Sequence, residues 1–367
     1  MTLLESKNPN RHPVDVLRVR YWFQGVLKAL DCQTAYQLEK LLEPEHFRRQ
    51  HQRTVYPSKW NRYGAGENTP QIRLVRKVDG HAAGSARELN HPLWAILKTM
   101  GRKTASMADW VGRLDPGVQS IMLQARHDYF GAPRELAPFN RRQGNRLLRR
   151  GDLDALAALV LYWIEADRQD NAEQMHEIAG MIYHLLLIVG LDFHKRNLGA
   201  ELLLLFTARI FDLTPWPGGH FGVDAKSFKI SLLGLHHMAH PADDPIKTPR
   251  WREHVGQMLK LLAGNKGFDV MFAMRPFCLP AWEAGPPTLS EWASWETDRR
   301  YWAWGWDCIF KGVQGKFPPE EAEVPGRYLY RERVRASSLG WPLLRDTSSF
   351  TGTCAIFEYG QWPPSWM

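Results

Sequence analysis

Apolar residues recur at helical spacing along most of the chain. From Val14 to Ala29 the positions Val16, Leu17, Val19, Trp22, Phe23, Val26 and Leu27 share one side of a helix, with Leu30 beyond, and Asp31 ends the run. Thr34 is placed to cap a second helix, Ala35 to Leu42, with Tyr36, Leu38, Leu41 and Leu42 as its apolar side. Glu43 to Tyr56 is polar and basic. Pro57-Ser58 then opens a short helix that Gly64 and Gly66 close, ahead of Pro70. Gln71 to Val78 is a fourth helical stretch, with Ile72, Leu74, Val75 and Val78 at core spacing. A loop, Asp79-Gly80 to Ser85, follows. His91-Pro92 leads into a helix over Leu93 to Met100.

Lys103 to Asp115 reads as a connection plus a short helix. Asn140 to Arg150 is a short basic helix stopped by Gly151, its arginines suiting the negative helix end. Asp152 or Asp154 caps a long apolar helix, Leu153 to Ala166. Ala172 to Val189 and Leu198 to Leu213 have almost no polar face, which predicts central burial. Thr214 to Gly222 is a Pro/Gly turn. Ala225 to His240 and Trp251 to Leu262 are the next helices. Beyond Pro276 the helical spacing weakens, Pro and Gly recur and Trp becomes frequent, and Thr351 to Tyr359 alternates like one short strand.

Composition adds bounds. The 367 residues suffice for two or three domains, and 44% hydrophobic with 23% charged residues argues against general disorder. Met1 to Pro13 lacks the apolar stretch of a signal peptide. Ala179 to Leu191, interrupted by His184, is short for a bilayer span and reads as a buried helix. The expectation is a cytoplasmic protein with no membrane association. Cys32, Cys278, Cys308 and Cys354 are scattered, as reduced core thiols are. Charge is more telling. Residues 1–150 carry 26 basic and 13 acidic side chains, net +13, whereas residues 151–367 carry net −5. A basic half joined to a mildly acidic one suggests that the former faces a polyanion, against the plainer reading of a solvated basic surface.

The segment Trp60-Asn61-Arg62-Tyr63-Gly64-Ala65-Gly66-Glu67-Asn68-Thr69-Pro70 resembles the recognition-helix end of phage-repressor-like (XRE-type) helix-turn-helix domains. Thr34 to Leu42 looks like the first motif helix of that family, and the resemblance covers about residues 14–80. It implies that Trp60 lies in a small core and that Tyr63 takes the aromatic position. Asn61 and Arg62 would face DNA, and Gly66 would end the helix in left-handed geometry. Thr69-Pro70 would start the next helix, where Ile72, Leu74 and Val75 pack. The family joins its two motif helices by a tight turn. Here Glu43 to Pro57 intervenes, an insertion that the slow growth of loop-closure cost admits.

The residues themselves suit such a role. Exposed Lys59, Asn61 and Arg62 on a short helix can address base edges. Arg48, Arg49 and Arg53 in the insertion, and Arg73, Arg76 and Lys77 after it, can meet phosphates. Arg142, Arg146 and Arg149 form a stripe with Arg141 and Arg150 beside it, either a phosphate track or a solvated helix face. In the run His236, His237 and His240, with Asp243 and Asp244 after it, His236 and His240 are one turn apart and could share a metal, but no converging third element is fixed, so core or interface histidines are the favoured reading. His194-Lys195-Arg196-Asn197 reads as a polar turn that could also grip an anion. Trp282, Trp292, Trp295, Trp302, Trp304 and Trp306 form either a stacking platform or, as favoured, a core under an irregular C-terminal region. No nucleotide-binding or hydrolase motif is found.

The sequence therefore predicts a mainly α protein with a helix-turn-helix-like DNA-binding unit at 1–102. A larger helical domain follows at 103–367, with room for a sub-boundary near 275 and an irregular Trp-rich end. The predicted function is DNA binding by a regulator whose second domain dimerises, senses a ligand or binds a partner. Duplex DNA is the expected partner, with a homodimer open to the second domain and no cofactor or metal. A helical adaptor without a nucleic-acid role is the alternative. A metal-dependent enzyme using the histidine-rich middle is a second one.

Overall fold

A computed structural model of the chain describes residues 11–44, 49–50, 53–54, 59–100, 107–124, 136–216, 219–240, 250–280 and 288–319. The protein is mainly helical, as expected. It divides into two compact units, one of Met1–Leu147, Asp152–Glu165 and Val189–Arg209, the other of Leu148–Gly151, Ala166–Ile188 and Ile210–Met367. The expected boundary at 102 thus falls inside the first unit and that near 275 inside the second.

The first unit begins with α1 (Pro13–Ala29), whose first turn is fixed by Pro13 and by His12 accepting from the Val14 amide at 3.2 Å. Asp31, at φ 50°, turns the chain out of that helix. A reciprocal capping box then starts α2 (Ala35–Leu42): Thr34 Oγ1 accepts from the Gln37 amide and Gln37 Oε1 from the Thr34 amide. A short antiparallel ribbon, β1 (Arg49–Gln50) and β2 (Arg53–Thr54), occupies the insertion. There follow α3 (Lys59–Gly64), α4 (Ile72–Asp79), α5 (Ser85–Leu89), α6 (Pro92–Thr99), α7 (Met107–Val111) and α8 (Pro116–Met122). The last are α9 (Arg141–Leu148), most of α10 (Leu153–Arg168), the end of α11 (Ala172–Lys195) and α12 (Gly199–Arg209).

Helices α1 to α5 share one hydrophobic core, built from Trp22, Phe23 and Val26 of α1, Leu38 and Leu42 of α2, Trp60 and Tyr63 of α3, and Val75 and Val78 of α4. Trp60 is fully buried, as the resemblance implied, and its ring stacks on Trp22 at 6.1 Å. The apolar faces are narrower than their sequences suggest. Tyr36 and Leu41 of α2 are about half exposed and Ile72 of α4 is 69% exposed, so none of the three anchors its helix. An eight-residue helix presents little more than two turns, and two contacts per helix suffice to seat it.

Helix α10, read from the sequence as a long apolar helix, is buried all round from Ala155 to Trp163. Asp152 is its cap, accepting from the Ala155 amide at 2.8 Å. Asp154, the other candidate, is instead consumed by tertiary contacts. Helix α11 runs to Lys195, further than its apolar stretch predicted. By length and composition it is enough to cross a membrane, and two-thirds of its apolar window is buried inside the protein.

The second unit contains the first part of α11, a 3-10 turn Phe211–Leu213, α13 (Ala225–Met238), α14 (Trp251–Leu262), α15 (Phe268–Ala273) and α16 (Leu289–Lys311). Strands β3 (Gly219–Phe221) and β4 (Cys278–Pro280) pair antiparallel, His220 opposite Leu279. The Trp-rich segment is a 23-residue helix rather than irregular chain. Trp292, Trp295, Trp302 and Trp306 recur at spacings of three, seven and four, along one side of this helix, and Trp304 lies off that side. Trp302 and Trp306, one turn apart, are buried on one face with ring centroids 6.4 Å apart; alternation of Trp302, Trp304 and Trp306 on an extended strand does not occur. Helix α15 lies so close that a side chain at Gly305 of α16 would meet the Ala273 amide at 2.9 Å. Trp282, Cys354 and the alternating stretch Thr351 to Tyr359 lie outside the described residues.

Candidate nucleic-acid interface

Helix α3 packs on α1 and α2 and presents its outer side to solvent. Trp60 and Tyr63, three residues apart, face inward, which leaves Asn61 and Arg62 outward and exposed. The helix ends in a Schellman motif: the Glu67 amide donates to the Arg62 carbonyl at 2.8 Å and the Gly66 amide to the Tyr63 carbonyl at 2.9 Å. Gly66 has φ 73°, and a Cβ there would sit 2.8 Å from the Val16 carbonyl oxygen. Both the backbone angle and the close approach therefore require glycine, as the resemblance implied.

Lys59 departs from expectation. It is half-buried, and its Nζ donates to Glu43 Oε1 at 2.6 Å while the Trp60 indole donates to Glu43 Oε2 at 2.8 Å. Glu43, the residue just past α2, is itself buried. One carboxylate thus ties the end of α2 to the start of α3 across the long insertion. A buried indole N–H and a half-buried ammonium both need an acceptor, and Glu43 serves both.

Beyond this tie lies an open hollow of about 750 Å³, with Arg11, Lys59, Arg73 and Lys77 on its walls against the single carboxylate of Glu43. Arg11 is held in place, donating to the Glu67 carbonyl at 2.6 Å and to Thr69 Oγ1 at 2.8 Å. Arg73 and Lys77, one turn apart on α4, are exposed. Tyr63 also lines the hollow; burial, then the Glu43 carboxylate, raises its pKa, so it remains a phenol able to donate. Four cations around one concave surface form a site of positive potential suited to phosphate oxygens.

The structure brings Lys59, Arg73 and Lys77 together and adds Arg11 from the N-terminal segment. Arg62 and Asn61 on α3 and Arg76 on α4 are exposed on the same two helices but do not line the hollow. Arg49 and Arg53 belong to the ribbon, and Arg48 lies outside the described residues. Arg142 and Arg146 are exposed on α9, and Arg149 is exposed just past its end.

Other expected constellations resolve differently. Arg196 of the HKRN segment is buried and grips Glu88 with both Nη atoms, at 2.8 and 2.9 Å, lies 2.9 Å from Asp192, and covers the Tyr21 ring at 3.9 Å. Asn197, at φ 57°, turns the chain after it. Neither a solvated turn nor an anion grip describes this arginine, which is a core ion pair. Of the HHxxH run only His236 is buried. Its Nε2 donates toward the carbonyls of Leu187 and Ile188 at 3.1 and 3.0 Å, so its Nδ1 accepts from His254 Nε2 at 3.0 Å. His237 and His240 are exposed, Asp243 and Asp244 lie outside the described residues, and among the described residues no three potential metal ligands converge. Cys278 is pushed up to about 12 by burial and by Asp298, a thiol rather than a thiolate.

No protein-family model matches the chain, and neither curated proteins nor solved structures include a significant match.

Proposed function

We propose that the protein binds nucleic acid, duplex DNA by preference, through the α3–α4 face of its first unit. The observation that carries this reading is the basic hollow, where Arg11, Lys59, Arg73 and Lys77 surround one carboxylate. Exposed Arg62 and Arg76 on the same helices extend the positive surface. On this reading the hollow takes backbone phosphates, which fix position, while Asn61 and Arg62 on the outer side of α3 reach base edges. The helix has six residues, about 9 Å of length, so it spans few base pairs and most of the affinity comes from phosphates. The resemblance to repressor-like domains supports the assignment of α3 as the reading helix. The Glu43 tie supplies the rigidity that a tight turn supplies in that family. A regulator of transcription is the role we propose for the whole chain.

The test is charge reversal in the full-length protein. Arg73→Glu with Lys77→Glu should weaken binding to a labelled duplex by about tenfold or more, since each lost phosphate contact also loses its counterion release. Both side chains are exposed, so the unfolding transition should stay in place. Unchanged affinity in a folded double variant would move the interface elsewhere. Exposed Tyr36, Leu41 and Ile72 on the same unit would then favour the adaptor reading, with a protein partner on α2 and α4.

A further inference from the structure

The second unit holds a cavity of about 470 Å³ that the nucleic-acid reading does not use. Helix α11 forms one wall, α16 another, and the segment from Phe272 to Cys278 a third. The volume is in the range of small-molecule sites. Its surface is mostly apolar and aromatic, with Trp216, Phe277, Trp295 and Trp302 as the principal flat faces. These rings are fixed. The Trp295 indole donates to the Cys278 carbonyl and the Trp216 indole to the Phe211 carbonyl, both at 2.7 Å, and Phe277 packs on Trp302 at 5.1 Å. Rings pinned in this way are in place before any ligand arrives.

Two further observations point to an occupant. Gly180 lies in the middle of α11, where glycine weakens a helix, and a Cβ there would meet nothing within 4 Å. Close packing of a neighbouring element therefore does not account for the glycine; the space beside it belongs to the cavity. His184, one turn further along and also lining the cavity, has its Nε2 shielded from solvent with no hydrogen-bond partner. Burial, then Arg275, holds that imidazole down at about 4, so it is neutral at physiological pH. The charged groups on the walls balance, Glu177 and Asp298 against Arg275 and Arg299.

We infer that this cavity binds a small, uncharged, planar heteroaromatic molecule, its rings against the aromatic lining and a ring heteroatom hydrogen-bonded to His184. Flat aromatic walls favour a flat ligand. Balanced charge gives no preference for an ion, and a neutral imidazole can meet either a ring nitrogen or a ring N–H, according to its tautomer. The inference does not depend on nucleic-acid binding.

The full-length protein should be titrated with quinoline, indole and naphthalene by ligand-observed NMR. Quinoline or indole should saturate one site and bind about tenfold tighter than naphthalene, which has the same shape without the heteroatom. Gly180→Leu fills the open space and should weaken that binding by about tenfold or more, with unfolding temperature unchanged or raised. His184→Leu, read separately, should bring the heteroaromatic probe down to the affinity of naphthalene and keeps the test open if Gly180→Leu does not fold. Absence of saturable binding by both heteroaromatics, equal affinity for naphthalene, or full affinity in folded Gly180→Leu would each overturn the inference.

Discussion

The indole of Trp60 donates to Glu43 across seventeen residues of chain, at 2.8 Å and within the core of the first unit. That bond gives the long α2–α3 insertion a fixed end-to-end geometry. Trp60→Ala should destabilise the protein by about 3–5 kcal/mol, the usual cost of emptying a buried aromatic site. Glu43→Gln keeps an acceptor for the indole but loses the charge facing Lys59, and should cost about 1–2 kcal/mol. Urea denaturation of the two variants checks both. Equal losses would mean that the carboxylate charge, not ring burial, dominates.

Arg62 and Arg146 are both exposed arginines, and they should behave differently. Arg62 stands beside Asn61 on the proposed reading helix. Its loss should cost about 1–3 kcal/mol on a selected duplex and much less on a scrambled one. Arg146 stands with Arg142 on α9 and is not among the residues that line the hollow. Its loss should weaken both duplexes alike and lower the salt slope by about one unit. Titration of Arg62→Ala and Arg146→Ala against the two duplexes makes the comparison. Equal losses on both for Arg62→Ala would leave α3 without a reading role.

Asp154 should make the first unit sensitive to acid. Burial pushes its pKa up, but His91, the Asp115 amide at 3.0 Å and Arg87 at 2.8 Å outweigh that, and it falls to about 2. A depressed carboxylate contributes stability that is present above its unfolded value and lost as pH falls through the folded one. The shift corresponds to about 2 kcal/mol at neutral pH, disappearing between roughly pH 4 and pH 2. Asp154→Asn should therefore be less stable than the native chain at pH 7, with the gap closing as pH falls through that window. A gap that persists at pH 2 would assign the loss to packing.

Helix positions were largely legible because apolar spacing is a local signal: α1, α2, α6, α10, α13 and α14 fall where periodicity put them. The burial of Trp60 and the left-handed Gly66 were legible through the resemblance to repressor-like domains, not through apolar spacing. What the sequence could not disclose depends on pairs far apart in the chain. Lys59 looked like a free cation until Glu43, sixteen residues earlier, was seen to neutralise it. Arg11 joined the hollow only through Glu67 and Thr69. Arg196 became a core residue through Glu88, 108 residues away. Helix α16 carries its own period, since Trp292, Trp295, Trp302, Trp306 and Phe310 recur at helical spacing, but the alternation of Trp302, Trp304 and Trp306 reads as extended chain and masks it.

On the proposed reading the basic hollow and the α3–α4 face hold a nucleic-acid backbone. The most direct test is the affinity of the full-length protein for a fluorescent duplex, measured by anisotropy from about 50 to about 300 mM salt. Binding should saturate at low salt, and log affinity should fall linearly with log salt. The slope should reach several units, about 0.9 for each phosphate neutralised. Absence of saturable binding at low salt, or an affinity indifferent to salt, would contradict that reading.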